Sequence, residues 1–172
     1  MALTKINYSG QGAIPSANLP TGSVLQVVQA VKTDKFTNSS STADIPGLSV
    51  NITPSSSNSK MYIMVNICGM ANNTGCSVRL NGTTNGDICL ANADGSRSRA
   101  SVGDFYRANN FQFSTQGFNF LDLPNTTNQQ TYKIIAISVS GNTLKVNRGN
   151  VDSDNSSYLN GTSSITVMEI AG

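Results

Sequence analysis

Apolar and polar residues alternate along much of this chain, and no stretch of ten residues follows a helical period. The longest alternation is KMYIMVNICGM at 60–70. One of its faces carries Met61, Ile63, Val65 and Ile67, and the other carries Tyr62, Met64, Asn66 and Cys68. Successive side chains of a strand point to opposite faces, so this pattern predicts a β-strand. Because both faces are largely apolar, we predict a central strand that is covered on both sides.

Shorter segments of the same kind recur along the chain between turn-forming residues. The other predicted strands are 24–31, 48–52, 76–80, 88–90, a strand within GFNFLDLP at 117–124, 132–140, 144–146 and 163–170. Two Asn-Gly pairs in NGTTNGD at 81–87 predict a hairpin, whereas the polar segment 34–44 reads as a loop in which Phe36 is a possible edge-strand anchor. Eight or nine regularly spaced strands predict an all-β fold, an antiparallel, jelly-roll-like β-sandwich.

The first 22 residues, MALTKINYSGQGAIPSANLPTG, have neither a strand period nor a helical period. We predict an extended N-terminal arm over 1–22 and a sandwich domain over 23–172. Pro15 and Pro20 each remove a backbone donor, so the arm is not expected to form a regular strand along its length. The start lacks the apolar core of a secretory signal, and no segment approaches the ~20 apolar residues of a membrane span. We therefore expect neither export by that route nor membrane insertion.

Charged residues make up only 12% of the chain, about half of the usual ~25%, and the net charge is +2. A nucleic-acid partner normally requires a concentrated basic face, so we expect none. Arg97, Arg99 and Arg107 form a loose local cluster. We interpret it as a solvated loop that is partly neutralised by Asp94 and Asp104, with a phosphate site as the alternative.

The sequence offers few candidate catalytic residues, because the chain has no histidine. Its one glutamate, Glu169, falls within the closing strand. We therefore predict no enzyme activity, no catalytic or cofactor-binding residues and no metal site, with a carbohydrate-cleaving enzyme as a remote alternative. The run Asp152-Ser153-Asp154-Asn155 resembles part of a calcium loop but lacks the glycine and glutamate that complete one, so a turn is the preferred interpretation.

Cys68, Cys76 and Cys89 show no zinc-type spacing. They are interpreted as small buried residues, and a bridge between Cys76 and Cys89 across the predicted hairpin stays open. Phe118 and Phe120 are interpreted as core residues, with an aromatic platform for a sugar as the alternative. The long polar connection 91–110 is the best candidate for a contact surface, or else a loop that covers the edge of the sandwich.

Several runs resemble small fibre-like virion proteins of tailed bacteriophages, particularly marine ones. The opening run ALTKINYSGQGAIPSANLPTGSVLQVVQAVKTD resembles the start of these proteins, and DIPGLSVNITPSSSNSKMYIMVNI resembles their second and third strands. TYK at 131–133, VNR at 146–148 and SITVMEI at 164–170 complete the resemblance, whereas residues 71–130 show no pattern of that family.

This resemblance implies a tail-fibre tip or capsid appendage, which is usually trimeric. The expectations are a homotrimer in the virion, made in the cytoplasm of the host bacterium, with the arm docked on sister subunits or on other capsid or tail proteins. Loops 91–110 and 148–161 would face a glycan or protein of the host surface. The chain has no collagen-like tract or coiled-coil heptads, so a short spike or fibre head is implied. The alternative is a capsid decoration protein without a receptor.

Overall fold

The fold comes from a computed structural model that describes residues 19–108, 112–139 and 141–172. The predicted arm therefore lies mostly outside the described residues. Within them there are eleven strands and no helix, so none that is long and apolar enough to cross a membrane. The strands are β1 (Val24–Lys32), β2 (Phe36–Asn38), β3 (Thr42–Ile52), β4 (Lys60–Ala71), β5 (Cys76–Gly82), β6 (Gly86–Ile88), β7 (Val102–Gly103), β8 (Ser114–Asp122), β9 (Gln130–Ser138), β10 (Leu144–Val146) and β11 (Ser163–Ile170).

The strands form two sheets whose strand pairs are all antiparallel. Sheet 1 has the order β1-β11-β4-β10-β2, with β8 on the other side of β4. Sheet 2 has the order β3-β9-β5-β6, with β7 beside β5. One apolar core joins the inner faces of both sheets. The predicted all-β, antiparallel sandwich is confirmed.

Strand β4 is central in sheet 1, as its long alternation predicted. It pairs with β11 and β10 along one side and with β8 along the other. Its inner residues Met61, Ile63, Val65 and Ile67 are all 1% exposed or less. The prediction that both faces are covered was wrong for the outer face of the single chain, because Tyr62 and Met64 are only half-buried there and Asn66 is exposed.

Turn-forming residues indicated some strand boundaries correctly, but not the start of β3. The hairpin at 81–87 is confirmed: Gly82 pairs with Gly86, and Gly86 takes a φ of +66° that suits glycine at this turn. Strand β3, by contrast, starts at Thr42 within the segment predicted as a loop. The strand continues past Pro46 because its register with β9 shifts between Asp44 and Ser49. Pairing with β9 therefore outweighs the tendency of proline to end a strand.

Glu169 is a fully buried carboxylate at the end of the sandwich where the arm enters. It accepts hydrogen bonds from Gln26 Nε2 at 2.6 Å, the Ser55 backbone N–H at 2.6 Å and the Ser55 hydroxyl at 2.7 Å. Burial by itself raises the pKa of Glu169, but these hydrogen bonds outweigh it, so the pKa lies below its ordinary value of 4.5. The carboxylate thereby fastens the turn after β3 to β1 and β11.

Glu169→Gln is expected to lower the free energy of unfolding by about 2 kcal/mol at pH 7, because an amide N–H would replace an acceptor opposite Ser55 or Gln26. The lowered pKa means that the wild-type contribution is present above pH 4.5 and is lost as the pH falls through the folded-state pKa. Urea denaturation across pH 3 to 7 measures both effects. Equal stability of the two proteins at pH 7 would contradict the assigned role.

Candidate interaction surfaces

The outer face of sheet 1 carries a row of apolar side chains that crosses four strands. Val27 on β1 pairs with Met168 on β11, Met168 pairs with Tyr62 on β4, and Tyr62 pairs with Leu121 on β8. Directly opposed residues in antiparallel strands share one face, so these four side chains lie side by side. Val27 is 54% exposed and Leu121 is 45% exposed. We call these four residues the apolar row.

Two further rows continue this outer face away from the apolar row. The register places Gln29, Thr166, Met64 and Asn119 in one row and Val31, Ser164, Asn66 and Gly117 in the next. None of these residues is charged, and neither is any member of the apolar row. At Gly117 the face has a hollow of about 240 Å³ that Met64, Asn66 and Asn119 help to line. These three rows are therefore uncharged, and the first of them is apolar, whereas Ile170 and the charged Lys60 form the next pair of this face on the other side of the apolar row.

The outer face of sheet 2 has the opposite character. Its cross-strand rows are Ser49, Lys133 and Asn81, followed by Asp44, Ile135 and Arg79. Lys133 Nζ lies 2.8 Å from a carboxylate oxygen of Asp44, and Arg79 lies 3.2 Å from Asp87. Among the described residues, four strand residues are large, apolar and exposed, and all belong to sheet 1: Val24, Val27, Val31 and Leu121. The charged outer face of sheet 2 therefore suits contact with water, whereas the outer face of sheet 1 suits a less polar neighbour.

Strand β8 is an edge strand without the usual protection against pairing. Edge strands are commonly short, or contain a bulge, a proline or a lysine. Strands β2, β6 and β7 have two or three residues, β3 contains Pro46, and β1 shifts register after Val24. Strand β8 runs for nine residues in unbroken register with β4 and has neither proline nor lysine. Phe118 and Phe120 on its inner side pack against the core, as predicted, but are only half-buried.

The loop after β10 forms a polar cleft of about 370 Å³, lined among others by Lys35, Arg148, Asp152 and Asp154. Lys35 Nζ lies 2.5 Å from Asp152, and Arg148 lies 3.6 Å from it. The hydrogen bond from Lys35 lowers the pKa of Asp152, which is therefore ionised and paired with cations. Within the described ranges, no three acidic, cysteine or histidine side chains are grouped to hold a metal. Asp152, within the predicted turn, is therefore engaged in ion pairs with Lys35 and Arg148.

The arginines of the loop between β6 and β8 bind within that loop or to its neighbours. Arg97 pairs with Asp94 at 2.6 Å, as predicted, and Arg99 Nε donates to the Ala91 carbonyl at 2.6 Å. Arg107 donates to the Tyr106 carbonyl and to the Ser114 hydroxyl. These contacts favour the interpretation as a partly self-neutralised loop. The end of this connection, 109–111, lies outside the described residues.

All three cysteines are free, so no bridge joins Cys76 to Cys89. Cys68 and Cys76 are buried, and burial raises the pKa of all three thiols. This agrees with the interpretation of Cys68 and Cys76 as small buried residues, whereas Cys89 is only half-buried.

The sequence missed the apolar row, because its members lie far apart along the chain and meet only through strand register.

No protein-family model matches this chain, and no curated protein sequence matches it.

Proposed function

We propose that this chain is a structural protein of a bacteriophage virion surface that acts by binding, as one subunit of a short trimeric fibre or spike head. The observation that carries the proposal is the contrast between the ion-paired outer face of sheet 2 and the three uncharged rows, one of them apolar, on the outer face of sheet 1. A surface of the second kind typically marks a protein contact. The resemblance of residues 2–34 and 44–67 to phage fibre-like proteins supports the virion as the place of that contact.

The N-terminal arm is proposed to dock the domain on the particle or on sister subunits. Its last described residues lie at one end of sheet 1, where the Gly22 N–H donates to the Ala171 carbonyl at 2.8 Å. Leu19 lines a hollow of about 210 Å³ there, together with Leu25, Ser55 and Gly172. The arm thus joins the domain next to Ser55, one of the residues that hydrogen-bond Glu169.

The loops are proposed to face outward, toward a protein or glycan of the host surface. The cleft beside Arg148 offers charged, amide and hydroxyl groups, the kind of groups that hydrogen-bond sugar hydroxyls. It is formed by a loop after a short strand, and such loops tolerate sequence change better than strands do.

Purified virions of the phage that encodes this chain test the proposal. We expect antibodies raised against this chain to recognise a band on a gel of the virions and to label the tail or the capsid vertices. A few dozen copies or fewer per virion would support an appendage. Hundreds of copies would support a capsid decoration protein instead, and absence of the band from washed virions would refute a virion role.

Deleting residues 1–18 is expected to leave the melting temperature of the domain nearly unchanged while preventing its incorporation into virions. The deletion retains Leu19, the hydrogen bond from the Gly22 N–H to the Ala171 carbonyl and the hydrogen bond from the Ala171 N–H to the Ser23 carbonyl. Melting curves and virion pull-downs of the truncated and full-length chains, supplied in the same way, measure both effects. Truncated protein that still assembles on particles would contradict the docking arm.

A further inference from the structure

We propose that a second copy of this chain covers the outer face of sheet 1, and that the apolar row forms the centre of the contact between copies. This inference deepens the proposed function, on which it rests for the expectation of a homo-oligomer, by naming the surface that joins the subunits. Its test needs only purified protein, so its failure is distinguishable from failure of the virion role.

The chain itself covers one end of this outer face and leaves the rest open. Cys68 on β4 is 2% exposed because the loop after β10 returns across it, so closely that a Cβ built on Gly161 would lie 2.1 Å from Cys68 Sγ. Farther along the same strand, Asn66 is exposed and Tyr62 is only half-buried. Removing apolar surface from water contributes about 25 cal/mol per Å², so burial of the exposed apolar row against a partner is favourable.

An identical copy suits this surface by its charge. The twelve residues of the three rows contain no charge, so two copies meet there without the like-charge repulsion that the ionised outer face of sheet 2 would impose. The hollow at Gly117 offers room for a side chain that projects from the facing copy. Neutral faces with an apolar centre are typical of contacts between like subunits.

The size of the surface is also consistent with this partner. Four strands spaced ~4.8 Å apart and rows that span about six residues give a projected area on the order of 400 Å². A standard interface takes ~800 Å² from each partner, so this face supplies about half of one contact. The unprotected edge of β8 adjoins the Leu121 end of the row and extends it. One partner that covers both also removes the exposed strand edge.

The arm of the same chain is a poorer fit as the cover. Its apolar residues Leu3, Ile6, Tyr8 and Ile14 follow no strand period, and Gly10, Gly12 and Pro15 interrupt it. One extended segment covers a width of about one strand, ~4.8 Å, so it can lie along one row but does not cover the three rows, which together span about six residues of each strand.

The test is the mass of the full chain and of charge variants by light scattering at micromolar concentration. Val27→Asp and Leu121→Asp each place a charge at one end of the apolar row, on side chains exposed enough for the fold to be retained. Asn51→Asp, on the exposed outer face of sheet 2, is the matched control. We expect the mass of an oligomer of at least two chains for the wild type and the control, and at least a twofold fall to 18.1 kDa for both row variants. Circular dichroism verifies that each variant is folded.

Two results would overturn the inference. A wild-type protein that is monomeric at this concentration has no such contact, and row variants that remain oligomeric join through another surface. Tyr62→Cys provides a second measurement, with Lys133→Cys on the outer face of sheet 2 as its control. If the protein is an oligomer and the Tyr62→Cys thiol is modified more slowly than the Lys133→Cys thiol, the result supports the contact. If modification is equally slow in a monomer, the arm of the same chain covers the face, and the inference is overturned.

Discussion

Val65→Asp is expected to abolish folding of the domain. Val65 is 1% exposed on the inner face of β4, between Ile165 on β11 and Phe118 on β8. A carboxylate placed there has no cation or hydrogen-bond donor, and burying it costs several kcal/mol against a total stability of ~5–15 kcal/mol for a domain. Circular dichroism and the soluble yield of the variant measure the loss.

Asn51→Asp is the matched control for this prediction. It adds the same charge to a strand of the sandwich, but on the exposed outer face of sheet 2. We expect its melting temperature to stay within a few degrees of wild type, because exposed substitutions usually change stability by less than ~0.5 kcal/mol. A soluble Val65→Asp protein with an unchanged melting temperature would disprove the central position of β4.

Gly161→Ala is expected to destabilise the domain by about 3 kcal/mol through overpacking. The added methyl would lie 2.1 Å from Cys68 Sγ and 3.3 Å from Phe113, so the loop after β10 would have to lift from β4. That displacement would disturb the neighbouring hydrogen bond from the Gly161 N–H to the Asn147 carbonyl. Chemical denaturation of the variant and the wild type measures the change.

A double-mutant cycle with Cys68→Ala tests the cause of this loss. Removing the sulfur leaves the Cβ of residue 68 at 3.1 Å from the added methyl, which is tight but needs only a small shift. We expect Gly161→Ala to cost about 2 kcal/mol less in the Cys68→Ala background than in the wild type, as for residues in direct contact. Strictly additive effects would show that the close approach of Gly161 to Cys68 does not set the loop position.

Local patterns predicted the strands that the sequence specifies by itself. The alternation at 60–70 and at 163–170 indicated β4 and β11, and the Asn-Gly pairs indicated the hairpin between β5 and β6, because side-chain period and turn chemistry act over a few residues. Strand β2, at the edge of sheet 1, was indicated only by Phe36 as a candidate edge-strand anchor, and strand β7 was not predicted. They have three and two residues and exist through pairing with β10 and β5, which a local pattern does not encode.

The outer face of sheet 1 shows the same limit for the candidate surface. The alternation in β4 correctly indicated apolar residues on both of its faces, yet within one chain the outer face is covered only at its Cys68 end. Whether Tyr62 meets an apolar or a charged neighbour depends on the register of β4 with β11 and β8. Register is a long-range property, since each strand is placed by contacts with the whole core.

The two buried cysteines give each sheet its own chemical reporter of local opening. Cys68 lies in β4 of sheet 1 and Cys76 lies in β5 of sheet 2, and burial keeps both thiols protonated and out of reach of disulfide reagents. Cys89 is only partly buried, so it reacts first and is easily distinguished. The slower labelling of the other two reports the free energy of the fluctuation that exposes each one. The unmodified chain thereby allows the rigidity of sheet 1 and that of sheet 2 to be measured separately in one experiment.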